Sequence, residues 1–121
     1  MKIKATEAPQ ARAALGDMAR GVEGGNMMMA LMALPDGTDF CQFLKGLPHD
    51  HCQCPHWGYL LEGRIRVDYQ DGTSETVEAG DLYYWPPGHT IAVEGDTTYV
   101  EFSPAAEMAE VLDHVVLRLS Q

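Results

Sequence analysis

Tyr59-Leu60-Leu61-Glu62-Gly63-Arg64-Ile65-Arg66-Val67-Asp68-Tyr69-Gln70-Asp71-Gly72-Thr73-Ser74-Glu75-Thr76-Val77 decides the fold class. Ile65, Val67 and Tyr69 alternate with Arg64, Arg66 and Asp68. Strict alternation puts one set of side chains on each face of a half-buried strand. Gln70-Asp71-Gly72 supplies hairpin turn chemistry, and Thr73 to Val77 is the return strand.

The same grammar extends outward. Ala79-Gly80-Asp81 turns into a strand at Leu82-Tyr83-Tyr84-Trp85, which Pro86-Pro87-Gly88 stops. Ile91-Ala92-Val93, a turn at Glu94-Gly95-Asp96, and Thr97 to Phe102 read as a further hairpin. Upstream, the apolar runs 27–34 and 39–44 flank Pro35-Asp36-Gly37-Thr38, which predicts a strand pair. Many short strands with Gly/Pro turns mean a sandwich or barrel, not alternating βαβ units. The period then changes. Ser103-Pro104 reads as a helix start, and Met108, Val111, Leu112, Val115 and Leu119 recur at steps of three and four. One domain over 1–121 is expected: an N-terminal arm at 1–26, a barrel over about 27–102 and a C-terminal helix over about 104–119. The arm is Ala-rich, with Pro9 and Gly21 as start and stop of a short helix or irregular segment.

The chain has 121 residues, room for one domain and one core. Eight Lys+Arg against 18 Asp+Glu give a formal net charge of −10. That excess argues against nucleic acid and anionic membranes as partners. The longest apolar run, Met27 to Leu34, is too short to span a bilayer. The first residues lack an apolar h-region, so no secretory signal is expected. Three Cys in such a chain fit a reducing cytoplasm better than a disulfide scaffold.

Chemistry concentrates in His49-Asp50-His51-Cys52-Gln53-Cys54-Pro55-His56. Imidazole and thiolate are preferred ligands of transition metals. On an extended chain Asp50, Cys52, Cys54 and His56 share one face, and His49, His51 and Gln53 the other. A bulge at Pro55 would exchange the rows. His89, after the Pro-Pro-Gly turn, shares a face with Ile91 and Val93. Spacing alone leaves both rows open as metal ligands beside His89: Cys52, Cys54 and His56 on one, His49 and His51 on the other. Three other readings stand beside metal binding: a solvated His-rich loop, a redox-active Cys52/Cys54 pair, and a metal-free barrel. Cys41 reads as a small buried hydrophobe and His114 as surface. Trp57, Tyr83, Tyr84 and Trp85 supply core packing or an aromatic wall for a ligand.

These motifs resemble those of the cupins, small jelly-roll β-barrels. The cupin first motif reads G-x5-H-x-H-x3-4-E-x6-G and the second G-x5-P-x-G-x2-H-x3-N. Gly63 matches the last glycine of the first, and Gly80, Pro86 and Gly88 open the second. By this resemblance His56 stands at the family's Glu position and points into the barrel, which implies Cys52, Cys54, His56 and His89 as the metal set, with His49 and His51 as the alternative pair. The family's two His fall on Asp50 and Cys52 in one spacing and on His49 and His51 in the other. Its second-motif His falls on Ile91 and its Asn on Gly95, while His89 lies two residues earlier. The resemblance implies a divalent transition metal (Zn, Fe, Ni or Mn) and a small organic ligand in the barrel. It implies a metal-dependent dioxygenase, isomerase or lyase, or alternatively a non-catalytic ligand- or metal-sensing barrel with structural Zn or no metal. A homodimer is expected because sheet edges and the Met27–Met29 run need covering.

Overall fold

The computed structural model describes residues 1–121. Six strands precede one helix: β1 Ala19–Gly24, β2 Met27–Leu34, β3 His56–Tyr69, β4 Ser74–Glu78, β5 Leu82–Trp85, β6 His89–Pro104 and α1 Ala105–Leu119. Every strand pairing is antiparallel, in the order β1-β2-β6-β3-β4, with β5 also on β3. This is the expected all-β jelly-roll architecture with a C-terminal helix.

Two long strands carry the curvature. The first half of β3 pairs with the end of β6 (Trp57 with Phe102) and with β5 (Trp57 with Tyr84). Its second half pairs with the start of β6 (Tyr69 with His89) and with β4 (Ile65 with Val77). The register shifts between Leu60 and Arg64, where Gly63 has φ +92°. A bulge at that point bends both strands, so the halves of the sheet face one another. Leu60, Ile65, Val67, Trp85 and Tyr99 fill the space between them. Arg64 and Arg66 point outward, as the alternation requires, and Arg64 reaches Glu78 at 2.9 Å.

Four local expectations are corrected. The 1–26 arm is not free of the sheet: Ala19–Gly24 is β1, pairing with β2 from Ala19/Met32 to Gly24/Met27. Residues 39–44 form no strand partner for β2; Cys41–Phe43 is a 3-10 turn, because β1 and β6 already occupy both edges of β2. Cys41 is exposed on that turn rather than buried. Residues 91–102 are one bent strand rather than a hairpin: Gly95 (φ +76°) makes a corner, and both arms continue along β3.

The helix lays Met108, Leu112 and Val115 into the interior. It is fastened to the 41–50 segment by His114 Nε2–H donating to Lys45 O (2.6 Å) and Arg118 Nε–H donating to Gln42 O (3.3 Å). His114 is thus a half-buried anchor. Ser103 does not cap the helix; its side chain is buried and turns to His56. No helix is long and apolar enough to cross a membrane.

Candidate metal centre

The cluster sits where the 45–55 segment meets the start of β6. Cys52 forms a bridge with His89: Cys52 N–H donates to His89 O (2.8 Å) and Gly88 N–H donates to Cys52 O (2.7 Å). The chain then enters β3 at His56 with its side chain inward. The ligating atoms of Cys52, His56 and His89 lie within 4.8 Å of one another, and all three residues are buried. Cys52 Sγ is 3.5 Å from His56 Nε2, and the two imidazole centroids are 5.0 Å apart.

Each imidazole is aimed by its other nitrogen. His89 Nδ1–H donates to Pro86 O at 2.8 Å, which leaves Nε2 with a lone pair, since a carbonyl only accepts. His56 Nδ1 lies 2.7 Å from Ser103 Oγ, and with Nδ1–H donating there, Nε2 faces Cys52. Such outer partners orient metal ligands and fix their tautomers.

Burial sets the protonation states. It holds the His56 imidazole well below the usual histidine range, with His89 adding to the effect. Burial lowers His89 to about 4, the Pro86 carbonyl partly opposing it. Burial pushes the Cys52 thiol up to about 12. At neutral pH the site is therefore two neutral imidazoles and one thiol. Two nitrogen donors and one sulfur donor, preoriented and desolvated, fit a divalent transition metal. Binding must release the Cys52 proton. The imidazoles, held neutral by burial, add none near neutral pH.

The expected set is only partly assembled. Cys54 is buried but stands outside the group; its thiol contacts Pro55 O at 3.5 Å and the Ser103 hydroxyl. His49 is exposed with φ +57°, and His51 Nδ1–H donates to His49 O at 2.6 Å. Neither joins Cys52. His49 is exposed and His51 half-buried, whereas His56 is buried.

Glu101 went unnoticed in the sequence. It is 3% exposed, and its Oε2 is 3.7 Å from His56 Nδ1. The Tyr83 hydroxyl donates to its Oε1 at 3.0 Å. Burial raises its carboxyl to about 8, so it is mostly protonated at neutral pH, and its contact with neutral His56 is not an ion pair. Alternation along Tyr99-Val100-Glu101-Phe102-Ser103 was the available signal: it puts Glu101 and Ser103 inward beside Tyr99.

Cys52, His56, His89 and Glu101 line a cavity of about 340 Å³ between the sheet and α1. The remaining walls are mostly apolar, with Met108, Leu112 and Val115 of α1 among them. Trp85 and Tyr99 complete the aromatic side, whereas Trp57 and Tyr84 stack on the outer face at 5.2 Å.

Proton release makes metal affinity depend on pH. In Glu101→Gln, which removes the other group titrating near neutrality, log affinity for Zn²⁺ is expected to rise by about one per pH unit between roughly pH 6 and 8. Adding Cys52→Ser should flatten the slope. Competition titrations at several pH values measure it, and a flat profile with Cys52 present would remove the thiolate from the site.

Residues 31–102, more than half of the chain, match the family model described as Cupin domain. No curated protein matches the chain. Among solved structures, the EutQ protein of Clostridium difficile is similar over 79% of this chain and 68% of its own, at 14% identity and TM-score 0.55. A variant of Bacillus subtilis oxalate decarboxylase is similar over 71% of this chain and 24% of its own, at 24% identity and TM-score 0.54. A cupin-2 domain containing protein from Shewanella frigidimarina covers 71% of this chain and 78% of its own, at 16% identity and TM-score 0.50. At these identities the likeness is one of fold.

Proposed function

This chain belongs to the cupin domain family, and from that premise we propose that it binds one divalent transition metal through Cys52, His56 and His89 and acts on a small organic molecule held under α1. The observation that carries this is the placement of three oriented donors on the wall of a mostly apolar cavity of about 340 Å³. Three protein ligands leave coordination positions open, as catalytic sites do, whereas a structural zinc site closes with four. Closing this one would need Cys54, which stands outside the group. The thiolate favours Zn, Fe or Ni over Mn. Bound there, the ion would supply a Lewis-acidic position that polarises a substrate oxygen.

The chain's own residues favour proton-transfer chemistry, an isomerase or lyase, over a dioxygenase. Glu101 holds a proton at a carboxyl that titrates at about 8, lines the cavity, and is steadied by Tyr83. A group poised near neutrality is suited to give and take a proton. Ser103 and Pro86 O fix the imidazoles, and α1 supplies an apolar wall. A reducing cytoplasm is the compartment that would keep the Cys52 thiol free.

The reading includes a homodimer. Trp57 sits between Phe102 and Tyr84, and Tyr59 between Val100 and Leu82, on the outer face of β5-β3-β6. Met29 and Leu31 of β2 continue the same rows. Leu82 is 83% exposed and Leu61 49%. Together with Trp57, Tyr59, Tyr84 and Phe102, they expose on the order of 600 Å², most of the roughly 800 Å² per partner of a standard interface. A second copy offers the matching face about a two-fold axis. Leu82→Asp is expected to weaken dimerisation by at least about 30-fold, measured by sedimentation equilibrium. A parent chain that sediments only at 13.3 kDa at micromolar concentration would contradict it.

Elemental analysis of chain purified without chelator or affinity metal tests the metal reading, with about one Zn, Fe or Ni per chain expected. A chain that carries none and takes up none on titration refutes it.

A further inference from the structure

We infer that the cavity under α1 takes an uncharged molecule: an apolar body with one hydroxyl or carbonyl oxygen, set at the Cys52/His56/His89 end. This rests on the reading of that cavity as the substrate site and names the substrate class.

The size and the two ends of the space come first. Packed protein cores hold few voids larger than a water molecule. This cavity measures about 340 Å³. At the ~30 Å³ that a water molecule occupies in the liquid, it admits roughly ten non-hydrogen atoms. Cys52, His56, His89 and Glu101 of its lining are each at most 5% exposed. Asp39 and Gln42 of the same lining are exposed, as is Leu119. The polar cluster is therefore the buried floor, and the 37–42 segment with the last turn of α1 is the rim. Most of the rest of the lining, Met32, Leu34, Met108 and Leu112 included, is apolar and suits a hydrocarbon body.

Charge decides the class. No Lys or Arg lines the cavity. Its acidic residues are Glu101 within and Asp39 at the rim, where Asp39 Oδ1 accepts the Cys41 N–H at 2.9 Å. An anionic ligand thus meets no basic side chain in the lining and two carboxyl groups instead, whether Glu101 is ionised or protonated. Outside, the chain's net charge of −10 repels anions at long range. A cationic ligand fares no better. The divalent ion repels it at the floor, and an ion pair with exposed Asp39 is worth little. A charge set against apolar walls without a partner is costly, so the walls select a neutral molecule. A hydroxyl or carbonyl oxygen offers a lone pair at the floor and leaves only hydrocarbon for the walls.

The test is calorimetric titration of the chain, Zn²⁺-loaded and metal-free, with hexan-1-ol, butan-1-ol, hexanoate and hexan-1-ammonium, bound zinc being assayed in parallel. Hexan-1-ol is expected to bind at least about tenfold more tightly than either charged probe in both forms. Butan-1-ol, which buries less hydrocarbon, is expected to bind about tenfold more weakly than hexan-1-ol. Val111 is a half-buried lining residue on α1. Val111→Trp, which fills part of the cavity, is expected to weaken hexan-1-ol at least about tenfold with zinc uptake unchanged. The four-probe comparison in the parent chain stands even if this variant fails to fold. A charged probe binding as tightly as hexan-1-ol, no hexan-1-ol binding, equal affinity for the two alcohols, or unchanged binding in folded Val111→Trp would each overturn the inference and leave the metal reading intact. Failure to take up zinc would remove the metal reading, and the ranking in the metal-free chain would still decide this inference.

Discussion

His89→Ala is expected to lower the affinity for Zn²⁺ by a factor on the order of 10² to 10³. Four-ligand structural zinc sites gain about 10–16 kcal/mol in all, so one ligand is worth about 3–4 kcal/mol. His56→Ala and Cys52→Ser should lose comparable amounts, because all three donors lie within 4.8 Å of one another. Cys54→Ser, His49→Ala and His51→Ala should stay within a few-fold of the parent, since none of the three belongs to the group. Competition against a chromophoric chelator reads all six. Loss confined to His51→Ala, with His89→Ala unaffected, would mean that the metal sits on the other row of the cluster.

The largest stability effect is expected at Gly63. Its φ of +92° is a conformation that an L side chain adopts only with strain. A Cβ there would also lie 2.2 Å from Thr97 Oγ1 and 2.7 Å from both Asp96 O and Thr97 Cα. Thr97 cannot withdraw: it is 1% exposed, and its hydroxyl donates to Gly95 O at 3.0 Å. Backbone strain of about 1–3 kcal/mol adds to the cost of pushing β6 away from β3, so Gly63→Ala should lose about 4 kcal/mol or more of stability. Gly72→Ala is the control: its φ is +89°, but nothing lies within 4 Å of the added Cβ. Urea unfolding of both separates strain from collision. Equal losses would mean that the bend does not depend on this close approach.

The β3–β4 hairpin, β5 and α1 were legible because local pattern and tertiary role agree there. Ile65 and Val67 alternate inward, and the helix stripe buries Met108, Leu112 and Val115. The β1 strand was hidden because Ala19-Arg20-Gly21-Val22-Glu23-Gly24 has no strong strand preference of its own; pairing with β2 makes it a strand. Gly95 looked like the tip of a hairpin because a corner and a reversal use the same residue type; only β3 running along both arms distinguishes them.

At the site, Cys52 and His56, which share strand parity, and His89, which follows the Pro-Pro-Gly turn, lie within 4.8 Å of one another. The rule overreached at Cys54: it is buried like Cys52 and His56, as alternation requires, but its thiol lies against Pro55 O and stands outside the group. Ser103 was misread as a cap because Ser before Pro is a helix-start signal, whereas β6 continues through it and points its hydroxyl at His56. Glu101 was missed because its role depends on Tyr83 and His56, which are distant in the chain.

The central claim is a metal held by one thiolate and two imidazoles, and Co²⁺ substitution tests it most directly. The parent chain should bind one equivalent and show a thiolate-to-cobalt charge-transfer band in the near ultraviolet, together with the visible bands of a low-coordinate site. Cys52→Ser should abolish the charge-transfer band, and Cys54→Ser should leave it unchanged. A band that survives Cys52→Ser and vanishes in Cys54→Ser, or a parent chain that binds no cobalt, would contradict the account.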